Sequence, residues 1–387
     1  MHVLVIGGGV VGCGAAYAMA RRGTEITLLE RSSIGSGASG AAAGMLAPLA
    51  ESRSRDAFAE FGSAALAGFG SWLAEVQEAA GMSADACAHG SLVLAAGDAQ
   101  AAALAARLRW QRTLDGAALY LDHRQLHELV PGLSPKFTAA VHYPSELSVD
   151  AGRYTLALRR AAEAAGARIV EGTEVVAVDL RARDAQVRLR TGAELTGDAV
   201  LLTVGSEVAL LRATGVELPL VAVKGEIIRL RPAGRMSELI IFGPGGYLTP
   251  RADGSVLVGA TQDPMRQDRE VRAGAVDGLL SFALRTMPAL ADAAFAGAWS
   301  GLRPQLADLL PAIGPVPGKD RLFVSLGHHR NGILLAGWSG DVIARSILDS
   351  EAVPEAVSPA RFFAQPPVAV PRLPTSALLP QPTQDRR

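Results

Sequence analysis

Near the start of the chain, Gly7-Gly8-Gly9-Val10-Val11-Gly12 has the spacing G-x-G-x-x-G. It follows the apolar run HVLVI at 2–6 and precedes small apolar residues at 10–22 that close on Arg21, Arg22 and Gly23. This order predicts a strand buried on both faces, a tight turn and a helix. Each glycine then has a task. Gly7 permits the turn, Gly9 lets the backbone approach a pyrophosphate, and Gly12 lets helix and sheet pack closely. The first backbone N–H groups of the helix, at Val10 and Val11, and the helix dipole favour negative charge. A second strand, at 25–30, ends on Glu30, 18 residues past Gly12. A carboxylate there binds the ribose hydroxyls of an adenosine and argues against a 2′-phosphate, hence against NADP. The fingerprint alone leaves NAD and FAD both open.

The elements that must position this turn form a β–α–β opening, which requires a parallel sheet. Helices are expected at 56–80, 99–113, 153–165 and 332–348, and strands at 91–96, 140–144, 175–178, 187–190, 199–204 and 321–327. The segments 219–230 and 255–260 suggest a more antiparallel sheet. The simplest account is an α/β chain. A nucleotide-binding domain with a parallel sheet, from 1–85, 145–215 and 303–364, is interleaved with a second, α+β domain from 86–144 and 216–302. Residues 365–387 hold six prolines and read as a loose tail.

Composition sets the outer limits. The 387 residues are 49% hydrophobic and 19% charged, enough apolar material for a large core. A net charge of -1 predicts no nucleic-acid partner. Two distant cysteines, Cys13 and Cys87, make no disulfide framework. The first strand begins at residue 2, and the longest apolar stretch, Ala38 to Ala50, is broken by Gly40, Gly44 and Pro48. A spanning helix needs about 20 apolar residues, so a cytoplasmic protein without membrane partners is expected. No His, Cys, Asp or Glu cluster has metal-ligand spacing, and no metal is expected.

Further motifs run along the chain: GAAAGMLAP (40–48), PLVAVKGE (219–226), GGYLTPR (245–251), LVGAT (257–261), WSGLRP (299–304) and GHHRNGILLA (327–336). Together, and in this order, they resemble the D-amino-acid oxidase superfamily of FAD-dependent amine oxidoreductases, and within it the glycine oxidases of thiamine biosynthesis. The resemblance spans residues 1 to about 350. It implies a Rossmann-type FAD-binding domain with a substrate domain on a mainly antiparallel sheet. There are departures. The family usually has Gly-Thr-Pro-Asp or similar after LRP, where this chain has Gln305-Leu306-Ala307-Asp308. The Trp often found after the glycine of 199–208 is missing. Relatives with covalent flavin use a late cysteine, and none follows Cys87, so the FAD is expected to be noncovalent.

The resemblance also implies the site. FAD contacts are expected from Gly7, Gly9, Val10, Val11, Gly12, Glu30 and Arg31, and from Ala43, Gly44 and Met45 in the loop that wraps the flavin. Val175 would meet adenine. His329, Asn331, Gly332, Ile333 and Leu334 would form the start of a last helix whose dipole faces the flavin. Arg303 would clamp a substrate carboxylate as a bidentate pair. Tyr247 would bond the same carboxylate, Arg330 would lie near the amine, and Gln262 would stand where some relatives carry an oxygen-activating lysine. His328 and His329 are tempting acid/base groups. Hydride transfer from a neutral amine to flavin N5 needs neither, and they read as packing. The implied reaction oxidises glycine and small amines, such as sarcosine or small D-amino acids, to imine and then 2-oxo acid and ammonia. Oxygen is the partner that gives hydrogen peroxide, and a homotetramer is the implied assembly. The alternatives are a dehydrogenase passing electrons to another acceptor and a noncatalytic dinucleotide-binding module.

Overall fold

In the computed structural model, residues 1–234 and 236–363 are described; the expected tail at 365–387 lies outside them. Strands His2–Ile6 and Glu25–Leu29 pair in parallel, joined by the helix Val10–Ala20. They belong to a six-stranded sheet in the order Ala312–Pro315, Leu322–Leu326, Ala199–Leu202, His2–Ile6, Glu25–Leu29, Arg168–Val170. Only the edge strand Ala312–Pro315 runs antiparallel to its neighbour. Val3, Leu4 and Val5 have no exposed surface, as a strand covered on both faces requires.

A second, eight-stranded sheet draws on residues 91–143 and 220–306. Its longest strands, Leu220–Arg231 and Ala294–Leu306, pair antiparallel over their whole length. One junction in this sheet is parallel, Ile240–Gly243 against Ser91–Ala95. The mainly antiparallel character expected for 219–230 and 255–260 is present, and a three-stranded antiparallel sheet spans 175–197.

Helix packing explains several small residues. The first helix crosses the last one, Gly332–Leu348, at Gly14 and Gly340. A Cβ on Gly14 would come within 2.8 Å of the Ala336 carbonyl oxygen, and one on Gly340 within 2.8 Å of the Gly14 carbonyl oxygen. The absence of side chains lets the backbones touch. Around this crossing, Met19, Leu28, Tyr154 and Ile343 are buried in one core. Burying each such large side chain contributes about 1.5–3 kcal/mol.

Residues 40–51 run between the two sheets and are held from both sides. Gly44 has φ +78°, and a Cβ there would sit 1.9 Å from the Val149 carbonyl oxygen. Arg251, from the eight-stranded sheet, donates to the carbonyls of Ala43 (3.1 Å) and Val149 (2.8 Å) and to the Asp150 carboxylate (2.6 Å). From the other flank, Glu146, only 1% exposed, accepts the N–H groups of Leu49 (2.8 Å) and Ala50 (3.0 Å) and the Ser91 hydroxyl. Gln111 donates to the Leu49 carbonyl at 2.7 Å.

Burial pushes the Glu146 carboxyl up to about 8, against the pull of its hydrogen bonds. The folded state therefore binds this proton more tightly than the unfolded chain does. Its stabilising contribution is present in full below about 4.5 and is lost as pH rises through about 8. Glu146→Gln keeps an acceptor for both N–H groups and removes the titration. The expected outcome is a melting temperature that falls less between pH 5 and pH 8 than in the unaltered protein. The difference should approach about 1.4 kcal/mol per pH unit across the window. Parallel pH profiles of the two proteins by calorimetry would show that Glu146 is not the titrating group.

Candidate active site

The fingerprint turn forms the floor of a groove of about 430 Å³. Gly7 takes φ +110°, and a Cβ on Gly12 would sit 2.0 Å from the Gly7 carbonyl oxygen and 2.7 Å from the Thr203 hydroxyl. Thr203 locks this contact by donating to the carbonyls of Ile6 (3.0 Å) and Gly7 (2.8 Å). Gly7, Gly9, Val10 and Val11 line the groove, and Gly12 supports them from behind. Gly9, the N-cap of the first helix, makes no side-chain cap bond, so the helix starts as an open set of backbone donors. One of them, Val10 N–H, donates to the Ser39 hydroxyl at 2.9 Å.

At one end of the groove, the Glu30 carboxylate accepts from Gly8 N–H (2.7 Å) and Ser32 N–H (2.9 Å), which fixes it at the end of its strand. Arg31 and Val175 line the same end, and Arg31 pairs with Glu207 at 2.9 Å. At the opposite end stand Leu302, Pro304, His329, Arg330, Gly332 and Ile333. Here a second helix begins at the groove, and its N-cap, Asn331, likewise makes no side-chain cap bond. Leu334 faces away and is buried in the core. Ala43, Gly44 and Met45 form the wall behind Ala42 rather than the groove surface. Ala43 and Met45 pack on Ile227 and Leu257.

A second group of residues gathers beside that far end. Strand register puts Arg303 opposite Val223, and its guanidinium lies over Gly225, where a Cβ would come within 2.1 Å of it. It donates to the Thr261 carbonyl at 3.2 Å, and among the described residues no carboxylate lies within ion-pair distance of it. The Tyr247 ring occupies the space that Gly259 leaves open. Burial pushes its hydroxyl up to about 12, so it stays a neutral donor. Burial lowers the pKa of Arg303 from its ordinary value. Arg330 Nε lies 3.2 Å from Glu51 Oε2, and both atoms are buried without a hydrogen-bond partner. Glu51 had no signal in the sequence motifs; its place follows from the short helix Pro48–Glu51 that Glu146 and Gln111 anchor.

The histidines are held neutral. His328 bonds the Ser339 hydroxyl at 2.9 Å inside the core, where burial lowers its pKa to about 3. His329, at φ +49°, is pushed well below its usual range by burial, then by Arg330 and Arg303. Gln262 is exposed and does not line the groove. Its neighbours explain why. Thr261 donates inward to Glu226 at 2.9 Å and Asp263 pairs by backbone with Lys224, so the residue between them faces out. The residue that this loop sends to the groove is Arg269, which the sequence motifs did not mark.

A long groove with an anchored carboxylate at one end and an uncapped helix start at each anionic position is the binding site of a dinucleotide-dependent protein. Residues 2–346 match the family described as FAD dependent oxidoreductase (DAO), and the chain belongs to that family. It is 33% identical to the glycine oxidase of Geobacillus kaustophilus over 346 residues, covering 88% of this chain and 91% of that protein. A bifunctional protein ThiO/ThiG of Synechocystis is 32% identical over 98% of this chain, which spans 57% of that protein. The crystal structure of glycine oxidase from Geobacillus kaustophilus superposes with a TM-score of 0.88 at 29% identity, covering 95% and 99% of the two chains.

The cofactor is FAD, and the groove fits it: the cradle at Gly9 and the carboxylate at Glu30 suit its charged and hydroxylated parts. Gly12→Ala tests the cradle. Forcing a methyl group between the Gly7 carbonyl and Thr203 costs on the order of 1–3 kcal/mol. FAD affinity should fall by roughly ten- to a hundredfold, read by flavin fluorescence on titration of the apoprotein. Unchanged affinity would mean that the turn does not hold the pyrophosphate.

Proposed function

We propose that this enzyme oxidises glycine and small amines such as sarcosine and small D-amino acids. The observation that carries the reading is Arg303, a guanidinium without a carboxylate partner among the described residues, beside a neutral Tyr247 at one end of the FAD groove. A fixed substrate carboxylate, a neutral amine and an aligned α-hydrogen are what amine oxidation requires. Arg303 takes the carboxylate through paired N–H donors, and Tyr247 adds a third donor. Glu51 balances Arg330, and Arg303, with no carboxylate partner among the described residues, is free to take the substrate. The amine proton leaves to solvent or a backbone carbonyl, because His328 and His329 are too weakly basic to take it. Bound in the groove, FAD supplies the two-electron acceptor. The amine loses two electrons and two protons to become an imine, which water converts to a 2-oxo acid and ammonia. Oxygen takes up the electrons as hydrogen peroxide.

In this reading residues 1–85, 145–215 and 303–364 form the FAD-binding part, and 86–144 and 216–302 the substrate part. Its cellular place is the cytoplasm and its assembly a homo-oligomer. The likeness to a bifunctional protein ThiO/ThiG supports a role in thiamine biosynthesis; in this reading the imine feeds thiazole formation. Among the described residues no helix is long and apolar enough to cross a membrane.

The test is the visible spectrum during anaerobic titration with glycine, followed by air. A flavin band that bleaches and returns at once, with peroxide formed, is the expected result. Bleaching without prompt return would replace oxygen by another acceptor, and a band indifferent to every small amine would sink the proposal. Arg303→Ala should lower kcat/KM for glycine by roughly 30- to 1000-fold, since losing a desolvated charge pair costs on the order of 2–4 kcal/mol. Normal turnover by that variant would remove Arg303 from the site.

A further inference from the structure

The region around Glu51 holds more positive charge than one substrate carboxylate needs. Arg330 is balanced by Glu51 at 3.2 Å. Two further arginines stand near the turn that carries Glu51. Arg53 stands two residues along the chain, directly after Ser52. Arg107 comes from the helix Asp98–Gln111, and a chain of bonds fixes the end of that helix beside the same turn. Gln111 stands four residues further on, on the same face of that helix. Tyr143 donates to Gln111 at 2.7 Å, and Gln111 donates to the carbonyls of Leu49 (2.7 Å) and Ser52 (3.5 Å).

Neither arginine is neutralised. Among the described residues no carboxylate lies within ion-pair distance of Arg53 or Arg107, and Nε and Nη2 of Arg107 are buried without an acceptor. Arg53 feels the cost: burial first, then repulsion by Arg107 and Arg330, lowers its pKa from the ordinary value. Buried guanidinium donors without acceptors, set among like charges, are unfavourable in the empty protein. A bound anion would relieve both defects at once, through charge-assisted bonds to a planar fork of donors. Arg330 lines the groove. Arg303 and Arg53 both stand within electrostatic range of this same ion-paired Arg330.

We propose that Arg53 and Arg107 form a second anion subsite at the rim of the substrate cavity, which takes a second carboxylate of the substrate. The preferred substrates are then small amines with two carboxylates rather than one. The inference rests on the reading of Arg303 as the clamp for the first carboxylate. The second carboxylate reaches the subsite from one of two places, the side chain on Cα or the substituent on nitrogen.

Two matched pairs separate these sources: D-aspartate against D-alanine, and iminodiacetate against sarcosine. In at least one pair the acidic member should have a kcat/KM at least tenfold higher at low ionic strength. A gain for D-aspartate assigns the subsite to the Cα branch, and a gain for iminodiacetate to the nitrogen branch. Arg53→Glu should collapse the ratio by tenfold or more, with Arg53→Lys retaining part of it. Added salt should shrink it, because Arg53 is exposed enough to be screened. Arg107→Lys serves as the second variant, since it keeps the charge and loses the fork. An independent readout is displacement of the flavin spectrum by succinate against acetate. Arg53→Glu should weaken succinate by about tenfold more than acetate. Oxidation of glycine or sarcosine with both ratios near one, unmoved by Arg53→Glu, would overturn the subsite and leave the amine-oxidase reading intact. If no amine reduces the flavin, that reading fails instead, and equal loss of succinate and acetate in Arg53→Glu overturns the subsite as well.

Discussion

Arg251 is only 9% exposed and spends its guanidinium on three oxygens from a different part of the fold. Two are carbonyls that a water-filled gap would otherwise have to satisfy, and the third belongs to Asp150, the N-cap of the helix Ala151–Ala164. One side chain of the eight-stranded sheet thereby grips both the wrapping loop and a helix that packs on the six-stranded sheet. Without this bond the 40–51 segment would have only the apolar contacts of Ala43 and Met45 and the Trp299 bond to the Ala41 carbonyl on that flank. Buried hydrogen bonds have direction, and apolar contacts do not. The directional bond is what sets where Glu51 and the groove wall come to rest.

The same segment joins two electrostatic regimes. Along the groove, negative charge is met by backbone N–H groups of two helix starts, which carry partial charges and need no counterion. Beside the far end, full charges take over: Arg330 and Glu51 both act on the buried Arg303 guanidinium. Neutral Tyr247 and neutral His329 stand beside these charges. A site of this kind binds an anion firmly and leaves an adjacent amine free of competing charge, which suits chemistry at the carbon between carboxylate and nitrogen.

Legibility in the sequence followed the range of the interaction. The β–α–β opening, the apolar strands and the antiparallel sheet were readable because hydrophobic periodicity is local. Glycine tasks at Gly7 and Gly12 were readable because G-x-G-x-x-G encodes a contact within a few residues. Glu51, Arg53, Arg107 and Glu146 carried no such signal, and the motif that ends on Arg251 did not reveal its partners. Each is defined by a partner far away in the chain or by a neighbour on another element, with separations of 279 residues for Glu51 with Arg330, 62 for Gln111 with Leu49 and 208 for Arg251 with Ala43. Gln262 shows the converse. A motif-based place in the chain could not reveal that Thr261 and Asp263 turn inward and leave the intervening side chain in solvent.

A guanidinium without a carboxylate partner is a liability in a folded protein, and this chain keeps more than one near its groove. Removing one partner of a buried pair costs several kcal/mol, so a fold selected for stability alone would have supplied an acid or dropped the arginine. Glu51 shows that an acid could be supplied locally, and it serves Arg330 alone. The unneutralised state of Arg303 is therefore better understood from the bound state than from the free one. Desolvation already imposed by the fold does not have to be imposed again when the substrate enters, and the carboxylate meets donors that need no reorganisation. In the proposed reading of Arg303 as the substrate clamp, the stability sacrificed at that position returns as binding free energy at the carboxylate, next to the bond that is oxidised.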